Sequence, residues 1–395
     1  MISPYHRRAR LATAVAGCCV FVLWFWYFSH FSLRLRCDVS VPTPPAADVR
    51  DSRSGSRPSP VPMDNRSRIA KATVATNSLD SPLARRALAT HHLHNRRHGY
   101  RHFIATTEFV SDVTENDPKG RPRGAWSKPA FLMSLMVAEL QKDEQERLRW
   151  ILSVERLVPS DPFPLLTCQS WFDADTIVMN NHIPLDIFLP PSTAAFSNVK
   201  LVISSNWDGL NSGAFAIRID PWSVSLLSAV LAYPIYQQDR LQNDSFRDQS
   251  AFQWLLTNPG SPLARTRGLP RQHWVDAPMR WFNSFPFNNP FDKEGRWIFR
   301  QQMTDELFDK GTSDVYDDGL GAKVRPSKIM RGDMIVHMAG SSHVRESWMR
   351  PWLDRSEAQL PEWSNATKLA EFKKQAQIFW EVMELGSRDK RTDTE

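Results

Sequence analysis

Asp173-Ala174-Asp175 sets two carboxylates two positions apart, so that in an extended segment both lie on one side of the chain. WF runs into this pair and IVMN follows it, and these apolar flanks would anchor the acids at a strand end. Oxygen ligands arranged in this way suit a divalent cation, which can offset the negative charge that grows on a departing diphosphate. The spacing alone equally fits a solvated turn, because about one Asp-x-Asp is expected by chance in a chain this long. Three further segments carry polar residues between apolar ones: NSGAFAIRIDPWS from Asn211, DQSAF from Asp248 and GDMIVHMAG from Gly332. Read alone, Asp248-Gln249 is a polar helix start and His337 a histidine within an apolar strand, where a core role is commoner than a ligand role.

Such residues need a scaffold, and the pattern around them alternates β and α. Ile69 to Ala75 reads as a strand, Pro82 to Arg97 as a helix, Arg101 to Thr107 as a second strand and Ala130 to Leu140 as a helix. A strand ending in WFDADT follows, then LVISS from Leu201 and the helical WSVSLLSAVLAYP. Strands alternating with helices predict an α/β fold with a mostly parallel sheet, whose ligands sit beyond the carboxyl ends of the strands. Asp173 and Asp175 fall there.

From Leu11 to Leu33 there is no Asp, Glu, Lys or Arg, a length that suits one transmembrane helix. Arg7, Arg8 and Arg10 precede it, which predicts a cytosolic N-terminus and a lumenal remainder, although Arg34 and Arg36 pull the other way. The run ends in FWYFSHF and not in small residues, so an uncleaved signal anchor is expected in place of a cleaved signal peptide. The expected organisation is a cytosolic tail over 1–10, the anchor over 11–33, a Pro-, Ser- and Arg-rich stem over 34–66, a catalytic domain over 67–355 and a helical, charged tail over 356–395. Asn65, Asn243 and Asn365 head Asn-x-Ser/Thr triplets and are glycosylation acceptors if the domain is lumenal.

Composition narrows the function class. The net charge of +6 is spread out, with no basic block or nucleic-acid module, so no nucleic-acid partner is expected. Cys18, Cys19, Cys37 and Cys168 have no metal-binding spacing and make no disulfide framework. Fifteen tryptophans fit sugar-stacking surfaces and fit an aromatic core at least as well.

Taken together, WFDADTIVMN, NSGAFAIRIDPWS, DQSAF and GDMIVHMAG occur in the order and spacing of glycosyltransferase family 34, and HGY at His98 and WSK at Trp126 also resemble its motifs. That family contains fungal Golgi α-1,2-galactosyltransferases and α-1,6-mannosyltransferases and plant xyloglucan xylosyltransferases; the resemblance spans roughly residues 67 to 350. It implies a GT-A fold and a Mn²⁺-dependent, retaining hexosyltransferase held in the Golgi membrane as a single-pass type II protein. Asp173, Asp175 and His337 match the metal site, a donor set in which one imidazole beside carboxylates favours Mn²⁺. Asn211, Ser212 and Gly213 match the loop beside the donor sugar, Gly340 closes the run that ends the site, and Asp248 and Gln249 match the pair near the reacting carbon. The implied donor is UDP-galactose or GDP-mannose and the implied acceptor a mannose-containing glycan. Rival readings are a catalytically weak subunit working with other Golgi glycosyltransferases in a mannan-synthesising complex, and a membrane-anchored lectin. Departures from the family pattern are Ile219 where an asparagine is usual, Ser341 where cysteine is frequent, and His94 in place of an aromatic.

One segment fits nothing else. The family's strand into the aspartates reads like W-I-x-W-x-D-A-D, whereas here Trp150-Ile151-Leu152 is parted from Trp171-Phe172-Asp173 by residues 153–170. Removing them restores RWILWFDADT. The expectation is that 153–170 is a retained intron, with a surface loop as the alternative.

Overall fold

The computed structural model describes residues 67–75, 81–107, 126–154, 175–206, 208–244, 246–261, 263, 273–286, 308, 329–338 and 345–392. Six strands form the central sheet: β1 (Ile69–Val74), β2 (Arg101–Ala105), β3 (Trp150–Val154), β5 (Leu201–Asn206), β6 (Gly209–Arg218) and β7 (Trp274–Asp276), in the order β2-β1-β3-β6-β5-β7. Five point the same way. β6 alone runs against its neighbours, pairing antiparallel with both β3 and β5. The expectation of a mostly parallel α/β sheet therefore holds, with one reversed strand at its centre. A second sheet of two antiparallel strands, β4 (Thr176–Val178) and β8 (Ile335–His337), lies outside what the sequence pattern foretold.

Both faces of the central sheet are buried, and period-2 alternation divides its residues between them. Ala70, Ala72, Ile151, Ile203, Phe215 and Ile217 face one apolar cluster. It is closed by helices α2 (Ser127–Leu140), α3 (Pro221–Tyr236) and α5 (Asp248–Thr257), which supply Leu135, Leu226 and Phe252 among others. Trp150, Leu152, Val202, Ala214 and Ala216 face the other cluster, where Phe188 and Trp281 stack with centroids 5.2 Å apart. The C-terminal segment joins this second cluster. After α6 (Arg345–Ala358), helix α7 (Ala366–Thr392) buries Ala376, Phe379 and Trp380 there.

Helix α1 (Pro82–His98) starts at Ser81, whose hydroxyl accepts from the Ala84 amide, with Pro82 in the first turn. It stops at Gly99, whose φ of 69° is the left-handed conformation that ends helices. The short α4 (Gln238–Asn243) links α3 to α5. Under α1, β1 turns Lys71 toward the helix, while the Thr73 hydroxyl meets His102 Nε2 of β2 at 2.9 Å. The Lys71 ammonium meets His94 Nδ1 at 2.7 Å and His91 Nδ1 at 3.4 Å, both rings having their Nε2 on backbone carbonyls of Ile183 and Thr176. His94, a departure from the family's aromatic, is thus a hydrogen-bonding member of a buried polar cluster. Burial pushes the proton affinities of Lys71, His91 and His94 well down, and for the two histidines the Lys71 charge adds to it.

Among the described residues no helix is long and apolar enough to cross a membrane; the expected span Leu11 to Leu33 lies outside them, as does Asn65. Asn243 ends α4, and its side chain is not described. Asn365 is exposed, and its Oδ1 caps α7 by accepting from the Thr367 and Lys368 amides.

Candidate active site

The site gathers at the carboxyl edge of β3. The β3–β6 register ends at Val154 opposite Ala214, so Gly213, Ser212 and Asn211 extend past the end of β3. β4 begins directly after Asp175, and Thr176 pairs with His337, which brings the two candidate ligands side by side. Met338 donates its amide to the Asp175 carbonyl at 2.9 Å and fixes that strand end. Asp175 and His337 are both fully buried, with Oδ2 3.3 Å from Nε2.

Which face of the imidazole carries its proton follows from a chain of hydrogen bonds. The Gly213 amide can only donate, and it reaches Asn211 Oδ1 at 2.8 Å. Asn283 therefore presents its NH₂ to that same oxygen, at 2.8 Å, and to the Ser204 hydroxyl at 3.1 Å. Its carbonyl oxygen is left facing His337 Nδ1 at 2.7 Å, so Nδ1 carries the hydrogen. In the neutral ring the Nε2 lone pair then points at the Asp175 carboxylate. Two acceptors at 3.3 Å repel unless a proton or a cation lies between them, and an asparagine holding the far nitrogen is how a metal-ligating histidine is oriented. The donor chemistry fits a divalent metal. Among the described residues no three His, Cys, Asp or Glu side chains converge; Asp173 and Gly340 lie outside them.

A second polar group adjoins the first through Ser212. Lys128, in the first turn of α2, is buried and lies 3.1 Å from Asp248 Oδ2. It also donates to the Ser212 carbonyl at 2.8 Å, while the Ser212 hydroxyl sits 3.4 Å from the same Asp248 oxygen. Asp248 and Gln249 open α5, both nearly covered. They follow Arg247, whose φ of 47° is a left-handed value rare for a side chain of that size. Strain of this kind persists where neighbours over-determine a turn, and here it aims the first turn of α5 into the site.

The structure thus joins Asp175, His337, Asn211, Ser212, Gly213 and Asp248 in one network, with Gln249 beside it. Asn283 and Lys128 complete that network and carry no role in the sequence reading. Lys128 stands in the WSK segment already noted there, whereas Asn283 sits in MRWFNSF, which has no motif.

Residues 187–348 match the model of the galactosyl transferase GMA12/MNN10 family. This region is similar to glycosyltransferase family 34. The family 34 match contains Asn211, Asp248, Gln249, Asn283 and His337 and begins after Asp175, so the carboxylate pair and Lys128 rest on the wider resemblance and on geometry. Among solved structures, the chain is similar to a glycosyltransferase involved in the glycosylation of the major capsid of PBCV-1. That likeness is at 12% identity over 72% of this chain and 98% of the other, with a TM-score of 0.42, too low to add to the fold described above. No curated protein matches the chain. The family 34 region supports glycosyl transfer, with a nucleotide-sugar donor and a glycan acceptor.

Proposed function

We propose that the protein is a retaining, metal-dependent hexosyltransferase of the Golgi lumen that moves galactose or mannose from UDP-galactose or GDP-mannose to a mannose-containing glycan. The observation that carries this reading is the approach of His337 Nε2 to Asp175 Oδ2 at 3.3 Å, both side chains fully buried, with Asn283 holding the far ring nitrogen. Asp173, Asp175 and His337 would hold Mn²⁺, which supplies charge neutralisation for the departing diphosphate.

The remaining residues divide the work around the donor sugar. Asn211 is pinned by Asn283, so the Ser212-Gly213 backbone beside it is fixed in place before any ligand arrives. Asp248 has one oxygen engaged by Lys128 and Ser212, which makes it a poor nucleophile and a good orienter of a sugar hydroxyl. A carboxylate so neutralised favours a retaining route in which the acceptor attacks from the face the leaving group vacates and the leaving diphosphate takes the acceptor's proton. Gln249, next to Asp248, would then polarise the oxocarbenium-like centre.

The test pairs a panel of nucleotide sugars with one variant. In Mn²⁺, the protein should hydrolyse or transfer from one of UDP-galactose and GDP-mannose, and Asp175→Ala should lose that activity by orders of magnitude together with metal-dependent donor binding. Transfer at near wild-type rate by the alanine variant would overturn the site.

A further inference from the structure

At the opposite edge of the central sheet lies a cavity of about 310 Å³ that plays no part in the transfer site. Arg68 precedes β1, Arg149 and Trp150 open β3, and Arg218 ends the reversed strand β6, so the cavity collects the amino edge of the sheet. Ser212 and Arg218 are both on β6, six positions apart, which at about 3.4 Å per residue separates the two places by roughly 20 Å.

Four guanidinium groups, those of Arg68, Arg147, Arg149 and Arg218, line this cavity against one carboxylate, that of Glu144. Among the described residues none of the four forms an ion pair. The side chains of three of them, Arg68, Arg147 and Arg218, hydrogen-bond to backbone carbonyls. Arg68 donates to the carbonyls of Arg147, at 3.0 Å, and of Glu144. Arg147 donates to those of Glu139 and Leu140, which finish α2, and of Lys142 just beyond it. Arg218 donates to that of Ser197 at 3.1 Å. Carbonyls fix the forks in place without neutralising them. Burial, and after it the charge of Arg149, lowers the proton affinity of Arg68, and Glu144 opposes this only in part.

We propose that this cavity binds the phosphate group of a phosphorylated sugar at a site separate from the transfer site. A surplus of three positive charges exceeds what one carboxylate ligand would answer, whereas a phosphate monoester brings close to two negative charges and three acceptor oxygens that fit guanidinium forks. The volume falls at the small end of ligand sites, about 300–1,000 Å³, so it leaves room beside the phosphate for one sugar ring. Pro190-Pro191 forms one wall, and the Thr193 hydroxyl lies among the lining groups.

The experiment uses the full chain in an Asp175→Ala background without divalent metal, which removes the donor site from the reading. A hexose 6-phosphate, inorganic phosphate and the free hexose are titrated by calorimetry. The hexose 6-phosphate should bind, the inorganic phosphate more weakly and the free hexose not at all. Arg149→Gln with Arg218→Gln should weaken the sugar phosphate at least tenfold, and Arg149→Lys should keep part of the affinity. On the otherwise wild-type chain the double variant should leave sugar transfer unchanged. Binding of inorganic phosphate as tight as that of the sugar phosphate would overturn the sugar component. No binding, or binding untouched by the double variant, would overturn the site.

Discussion

Replacing Asn283 by leucine separates two tasks that a single amide performs, since Asn283 holds His337 Nδ1 and braces Asn211 at once. Without the acceptor at Nδ1 the ring can take the other tautomer, whose Nε2–H cannot ligate. Mn²⁺ affinity should fall about 10–100-fold, the usual loss when an outer partner of a metal ligand is removed, while the fold survives. Titration with Mn²⁺ under calorimetry reads this directly, and unchanged affinity would remove the proposed role. Lys128→Met should act differently. It leaves the Asp248 charge buried without its cation, at about 3–5 kcal/mol in stability by urea unfolding. Adding Asp248→Leu should recover most of that stability and none of the transfer activity. Asp175 and His337 were legible in the sequence because they sit in segments with a recognisable order. Asn283 was not, because its meaning lies in hydrogen bonds to residues 54 and 72 positions away.

Strand β3 is the element in which sequence and structure pull hardest on each other. It continues through Ser153 and Val154, the first two residues of the suspected insertion, which pair with Ala72 and Thr73 on one side and Phe215 and Ala214 on the other. The ladder is therefore filled across the expected break, and residues 155–174 lie outside the described residues. Ser153 is nevertheless an awkward occupant of an interior strand, because its hydroxyl is buried with no hydrogen-bond partner among the described residues. Deleting Ser153–Ser170 would put Trp171 and Phe172 in the positions of Ser153 and Val154. The shortened chain should melt at a higher temperature and transfer sugar faster than the 395-residue form, and the mature message should lack the segment. A message that consistently encodes all of 153–170, with the longer protein the more active, would sink the idea. Local periodicity showed β1, β2, α1 and α3 because each carries its own pattern. It could not show that β6 runs backwards or that β4 pairs with β8, since pairing between strands so distant in sequence leaves no local trace.

Acid should weaken the molecule as a whole. His91, His94 and His102 are buried as neutral bases with proton affinities pushed well down, chiefly by burial and then by Lys71. Below about pH 6.5 these histidines take up protons in the unfolded chain that the native state refuses, so their contribution to stability is full above that value and is lost as pH drops through it. Three such groups set a limiting slope of about 4 kcal/mol per pH unit. Urea midpoints at pH 7.5 and 5.5 should show the loss, and His102→Gln should reduce it; a flat profile would mean these rings are charged in the native state. The placement of α7 bears on how the protein is made. Trp150 and Trp380 share one apolar cluster, yet roughly 230 residues of synthesis separate them. At roughly 5–20 residues per second, the β3 side of that layer waits on the order of ten seconds or more for its last aromatic partners. Over that interval a ribosome-bound chain exposes Trp150, Phe188 and Trp281 to its surroundings, and a stop codon before residue 376 would leave them open for good. The layer can therefore close only once α7 has been made, which makes the nascent chain a natural client for chaperones.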